Sequence, residues 1–261
     1  MRVVIIGSGA SLPDSERSSP SQVIVAVEEP LLFDCGPGTG MNLMKAGFNP
    51  RTINQIFLTH LHMDHSAELP SIIFSGYLAG REKKMYLYGP SGTINFCNSL
   101  FQLIYPSAPE IIRKIRRDGW NVSPHEVTNG LVCELEGCRV ISAQVEHGMP
   151  AVAYRIETQA GAVVVSGDTR PCKPLIELSR GADLLIQECS YPDDMIELAR
   201  QAFHCTASEV GEIAKQAEVK KVILTHLFPL WKGREREMTK CVNSRFAGEV
   251  IPSYDLLEVK F

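Results

Sequence analysis

At 261 residues, 44% of them hydrophobic, the chain is long enough to bury the core of one large domain over 1–261. A formal net charge of −4 excludes a global positive field that would draw in nucleic acid, leaving that task to local basic patches. No apolar run reaches the roughly 18 residues that suggest a bilayer span, and the eight cysteines, at 35, 97, 133, 138, 172, 189, 205 and 241, form no CxxC pair and follow no leader segment, so a reduced cytoplasm is expected.

In chain order, "RVVIIGSG", "SQVIVAVE" and "LLFDCG" read as strands, the first two separated by the polar loop "SLPDSERSSPS" and the last two by a tight connection at Glu29-Pro30. "GPGTG", Gly36 to Gly40, ends the third strand and opens the helix "MNLMKAG", which stops at Gly47. "INQIF" is a short apolar strand, and "SAELPSIIFSGYLAG" beyond it has helical length despite Pro70. "MYLYGPSG" is a further strand and turn, followed by helix-like segments through Arg117. Strands return at "RVISAQVEHG", "AVAYRIET", "AVVVSGD", "DLLIQEC" and "KKVILTH", with helices over 173–180, 192–203 and 207–218, and "YDLLEVKF" closes the series. Strand runs in both halves with helices between and outside them predict an α/β fold of two mixed sheets stacked face to face and flanked by helices.

The chemistry collects at strand ends. "LTH" delivers His60, "VEHG" His147, "VSGD" Asp168 and a second "LTH" His226. Rigid elements ending together can hold such groups in fixed positions. Between 60 and 65 stand His60, His62, Asp64 and His65, three of the seven histidines in the chain. Alternation along an extended segment puts His60 and His62 on one side for one ion, and the turn that follows aims Asp64 and His65 elsewhere. Imidazole suits zinc and a carboxylate can bridge two cations, so two ions sharing Asp168 would satisfy the groups available. His125, in "VSPHEV", lacks such context and is assigned to the surface.

"THLHMDH" with His147, Asp168 and His226 resembles the metallo-β-lactamase superfamily, whose fold is an αββα sandwich, over essentially the whole chain. "LLFDCGPGT", "YGPSG", "HGMPAVAYRI" and "SGDTRP" are similar to its ribonuclease Z branch of tRNA 3′-end endonucleases and related phosphodiesterases. The resemblance implies His60, His62, His147 and Asp168 on one Zn2+ and Asp64, His65, Asp168 and His226 on the other, with Mn2+ or another divalent ion as substitutes. It also implies a homodimer, a phosphodiester or RNA substrate, and catalytic roles for Asp64, Glu188 in "QECSY" and His204 in "FHCTASEV". "TASE", Thr206 to Glu209, is a capping box that would start a helix just after His204, beside which an anionic substrate is favoured.

Two departures qualify the match. The family has His, Glu, Ala, Thr where this chain has Gln187, Glu188, Cys189 and Ser190; the glutamate survives. Ribonuclease Z enzymes also project a Gly- and Pro-rich tRNA-gripping arm between two strands of the second half, whereas "YRIETQAGAVVVSGDT" allows only a tight turn around Ala160 and Gly161. Arg113, Lys114, Arg116 and Arg117 in "EIIRKIRRDGW", and "WKGRERE", are basic runs that offer a substitute grip. The expected function is a binuclear zinc phosphodiesterase. An arylsulfatase-like, lactone or thioester hydrolase would use the same nucleophile on another electrophile, and a metal-dependent sensor or binding module would use the site without turnover.

Overall fold

The computed structural model describes residues 1–26, 28–104, 106 and 118–260. Arg113, Lys114, Arg116 and Arg117 lie outside them. Two sheets of seven strands face one another. The first runs in the order β14 (Glu258–Lys260), β1 (Arg2–Gly7), β2 (Ser21–Val25), β3 (Leu31–Phe33), β4 (Gln55–Phe57), β5 (Met85–Gly89) and β6 (Val122–Glu126). The second runs β13 (Glu249–Pro252), β12 (Lys221–Thr225), β11 (Leu184–Glu188), β10 (Gly161–Val165), β9 (Val152–Thr158), β8 (Cys138–Gln144) and β7 (Gly130–Leu135). Helices cover the outer faces: α1 (Thr39–Lys45), α2 (Met63–Ser66), α3 (Leu69–Leu78) and α4 (Thr93–Ile104) belong to the first half. To the second belong α5 (Lys173–Ser179), α6 (Ile196–Gln201), α7 (Ala207–Gln216) and α8 (Glu235–Asn243). This is the expected αββα sandwich.

Three apolar layers hold it together. The central one joins Val3, Ile5, Ile24, Phe33 and Phe57 of the first sheet to Val140, Tyr154, Val163, Ile186 and Ile223 of the second. Phe33, Phe57 and Tyr88 stack in series with centroids 4.8 and 4.9 Å apart, and Tyr154 meets the first two edge-on. Aromatic pairs of this kind add about 0.5–1.5 kcal/mol beyond their burial. The Tyr154 hydroxyl donates to the Leu58 carbonyl at 2.8 Å, tying the second sheet to the strand that leads into the histidine cluster.

Several details differ from the sequence reading. β6, β7, β13 and α8 are additional elements. The helix expected over "SAELPSIIFSGYLAG" is present as α3, but it starts at Leu69, with Pro70 in its first turn, where a proline fits, and the short α2 precedes it. The 192–203 stretch splits into a 3-10 turn over Asp193–Met195 and α6. Between β9 and β10, Thr158 and Gly161 face each other in register, so the connection is the expected tight turn. His125 lies exposed on β6, its ring stacked beside Tyr88 at 5.3 Å and Tyr86 at 6.2 Å.

Candidate metal centre

Parallel pairing aligns the carboxyl ends of β3, β4, β10, β11 and β12 on one rim of the sandwich. Open α/β sheets bind ligands at such ends. Asp34 follows β3, His60 and His62 follow β4, Asp168 follows β10, Glu188 ends β11 and His226 follows β12. Two close approaches need glycine. A Cβ on Gly36 would lie 1.7 Å from the Asp64 carbonyl oxygen, and Gly167, at φ +60°, sits where a Cβ would lie 2.6 Å from Thr59. Glu68 locks the rim from behind by accepting the backbone N–H of Gly38 at 2.8 Å and of Gly40 at 2.6 Å at the start of α1. A carboxylate there complements the partial positive charge of the helix terminus.

The predicted ligands gather in two adjoining groups, His60, His62 and His147 in one and Asp64, His65, Asp168 and His226 in the other. In the first, His62 Nδ1 lies 3.0 Å from His60 Nε2 and 3.2 Å from His147 Nε2. In the second, Asp168 Oδ2 is 3.1 Å from His226 Nε2 and 3.3 Å from His65 Nε2, while Asp64 Oδ2 is 3.3 Å from His226 Nε2. The same Asp168 oxygen lies 3.7 Å from His60 Nε2, so one carboxylate atom reaches both groups. His65, Asp168 and His226 of the second group are buried and Asp64 is half-buried; the first group opens to solvent through exposed His62.

Four imidazoles are held by their Nδ1 atoms, which leaves Nε2 pointing inward. His60 is held by Thr59 Oγ1 at 3.0 Å, His65 by Asp34 at 2.8 Å, His226 by Ser190 Oγ at 2.9 Å and His147 by the Phe203 carbonyl at 3.3 Å. Metal-ligating histidines are oriented in this manner. Asp34, at φ +56°, also accepts from the Thr59 N–H at 2.8 Å and so governs two of the four. Asp34, Thr59 and Ser190 carried no role in the sequence reading. The one available signal was an aspartate ending an apolar strand.

The donor chemistry fits divalent ions. His65 Nε2, in the second group, is buried with no hydrogen-bond partner, a condition that costs about 1–3 kcal/mol unless a ligand satisfies it. Burial by itself would raise the Asp168 carboxyl, but His226 and His65 hold it well below the usual range. Burial opposes a proton on His226, yet Asp168 and Asp64 push its pKa up to about 9, and His65 rises similarly against Asp168 and Asp34. Burial and neighbouring histidines press His60 down, leaving it neutral.

At neutral pH the metal-free protein therefore carries protons on His65 and His226 that an incoming cation must displace. Metal uptake is expected to release protons, with affinity climbing as pH rises toward about 9. Titration calorimetry in buffers of different ionisation enthalpy checks this; a heat independent of buffer would contradict it.

His204 sits between the groups, its ring 5.3 Å from that of His147 and 5.2 Å from that of His226. Glu188 Oε1 lies 3.3 Å from His204 Nδ1 and accepts the Cys205 N–H at 2.7 Å, while Glu188 Oε2 accepts the Ser190 hydroxyl at 2.7 Å. Burial disfavours the imidazolium, but Glu188 outweighs it and raises the His204 pKa. Glu188, His204 and His226 also form a third group of ligating atoms. The predicted capping box is present, with Glu209 accepting the Thr206 N–H at 2.9 Å. Half-buried Tyr191 and Phe228 flank this side, 5.9 and 6.4 Å from the His204 ring. In "WKGRERE", Lys232 pairs with Glu16 at 2.8 Å and Arg234 with Glu237, so two of its cations are already engaged.

Residues 30–227 match a family described as a beta-lactamase superfamily domain. Ribonuclease Z of Methanosarcina acetivorans is 31% identical over an alignment of 310 residues that takes in 100% of this chain and 98% of the relative. Being longer than the 261 residues here, that alignment includes segments of the relative that this chain lacks. Ribonuclease Z of Methanosarcina mazei is 31% identical over 277 residues, 87% of each chain. Among solved structures, a metallo-beta-lactamase fold protein from Bacillus subtilis has a TM-score of 0.83 at 23% identity, covering 99% of this chain and 98% of the other. The short form of human tRNase Z has a TM-score of 0.79, also at 23% identity, covering 100% and 99%.

Proposed function

This chain belongs to the beta-lactamase superfamily, among the ribonuclease Z proteins, and on that basis we propose that it is a binuclear zinc phosphodiesterase acting on small diesters and RNA ends. The observation that carries the reading is the reach of Asp168 Oδ2 into both ligand groups, 3.1 Å from His226 Nε2 and 3.7 Å from His60 Nε2. His60, His62, His147 and Asp168 would hold one ion; Asp64, His65, Asp168 and His226 would hold the other. Two such ions supply a water of lowered pKa and neutralise charge on the phosphate oxygens. Asp64, the more accessible of the two carboxylates, would also help to orient the attacking hydroxide. His204, held at Nδ1 by Glu188, presents Nε2 to stabilise the crowded phosphorus centre or protonate the leaving oxygen. The aromatic flank of Tyr191 and Phe228 suits a planar ring on the substrate.

A reduced cytoplasmic setting accords with eight free thiols, and the homodimer rests on the family resemblance. Among the described residues no helix is long and apolar enough to cross a membrane.

Zinc-loaded protein is expected to release nitrophenol from bis-nitrophenyl phosphate and to leave nitrophenyl sulfate and a thioester nearly untouched. Preference for either of the latter would reassign the electrophile. With Thr158 and Gly161 paired across a tight turn, no gripping arm rises from this hairpin. Each lost phosphate contact lowers RNA affinity and flattens its salt dependence. A tRNA precursor is accordingly expected to be trimmed weakly beside small diesters, and efficient trimming at physiological salt would show that another surface supplies the grip.

A further inference from the structure

The layer between the sheets is apolar until just beneath the metal centre, where polar side chains enter it, Gln22 and Thr225 among them. Gln22, on β2, lies in register with Ile5 and Phe33 of the central core and is 2% exposed. Thr225 ends β12 two residues beyond Ile223 of that core and is 5% exposed. Gln22 Oε1, Thr225 Oγ1 and Asp168 Oδ1 are all buried without a hydrogen-bond partner. All three residues line one cavity of about 10 Å³ that also meets Asp34, His65, Ser166, Glu188 and His226 on its metal-centre side. That volume is about one water molecule, and a buried water requires two to four polar partners.

We propose that this cavity binds a single ordered water that makes Gln22 and Thr225 positioning residues for the metal-bridging carboxylate. The water donates one hydrogen to Gln22 Oε1 and the other to Asp168 Oδ1, and accepts the Thr225 hydroxyl hydrogen, so every orphaned oxygen is satisfied. The terminal torsion of an aspartate is soft, with broad minima. Asp168 Oδ2 already faces His60, His65 and His226. Fixing Oδ1 from the other side stops the carboxylate from rotating away from either ion. A glutamine on the first sheet thereby aligns a ligand carried by the second. The inference rests on the metal reading above.

Gln22→Met and Thr225→Val remove the polar atoms while nearly keeping volume. Each is expected to weaken binding of the less tightly held zinc by about 10–100-fold in a chelator competition, the usual scale for a lost partner behind a ligand. Because one water serves both, the double variant is expected to be little worse than the more severe single one. Thermal unfolding of the metal-free variants separates this from loss of packing, since their stability should stay near that of the parent. A high-resolution crystal structure should show a water within hydrogen-bond distance of all three oxygens. Zinc affinities within twofold of the parent, losses that add in the double variant, or a dry cavity would overturn the proposal. A parent protein that takes up no zinc would instead overturn the metal reading, and the crystal structure would still decide the water.

Discussion

Asp168→Ala is expected to lose at least one of two bound divalent ions and to leave no diester hydrolysis above background. The buried carboxylate lies within 3.7 Å of histidine nitrogens of both clusters. Without it, His65 and His226 face each other across the second group with their shared counter-charge gone, and the protons they hold in the metal-free state are no longer favoured. Asp64 remains, but it lies on the accessible side and pairs with His65 and His226 of the second group. Elemental analysis of the purified variant checks this. Retention of two full equivalents would refute the bridging role.

His204→Ala is the second large effect, and its signature is the opposite one. The imidazole is held from outside the two ligand groups, by Glu188 and with Ser190 Oγ 3.3 Å away, so its removal should leave metal content intact. Turnover of a diester should fall by roughly a hundredfold or more, the usual scale for a lost acid or charge stabiliser. Metal loss in parallel with activity would make it a ligand, in line with the third group it forms with Glu188 and His226.

The rim of candidate ligands is readable because each ends an apolar strand or follows one within a few positions, and strand ends converge. What holds the ligands is not. Asp34 reaches His65 across 31 positions and Ser190 reaches His226 across 36, and no local pattern encodes contacts of that span. The missed elements have local causes. β6 carries Pro124 and His125 where a strand signal needs apolar alternation, tolerable at the edge of a sheet. α8 hides its buried Met238 and Val242, one turn apart, in a run of charges that reads as solvated. The start of α3 at Leu69, one residue before Pro70, follows a rule that sequence does contain, that proline is accommodated in a helix's first turn.

The hairpin between β9 and β10 bears on how this fold changes its clients. Its strands stay paired up to Thr158 and Gly161, and the partners of β9 and β10 on either side stay paired as well. No strand pairing of the sandwich therefore depends on Gln159 and Ala160. A module inserted there, with its own ends as close as those two positions, would cost chiefly loop-closure entropy, which grows by only about 0.6 kcal/mol per doubling of length. The hydrolytic rim and the device that selects large substrates are then separable inheritances: a grip for RNA can be grafted onto this turn, or shed from it, without re-solving the geometry that holds the ions.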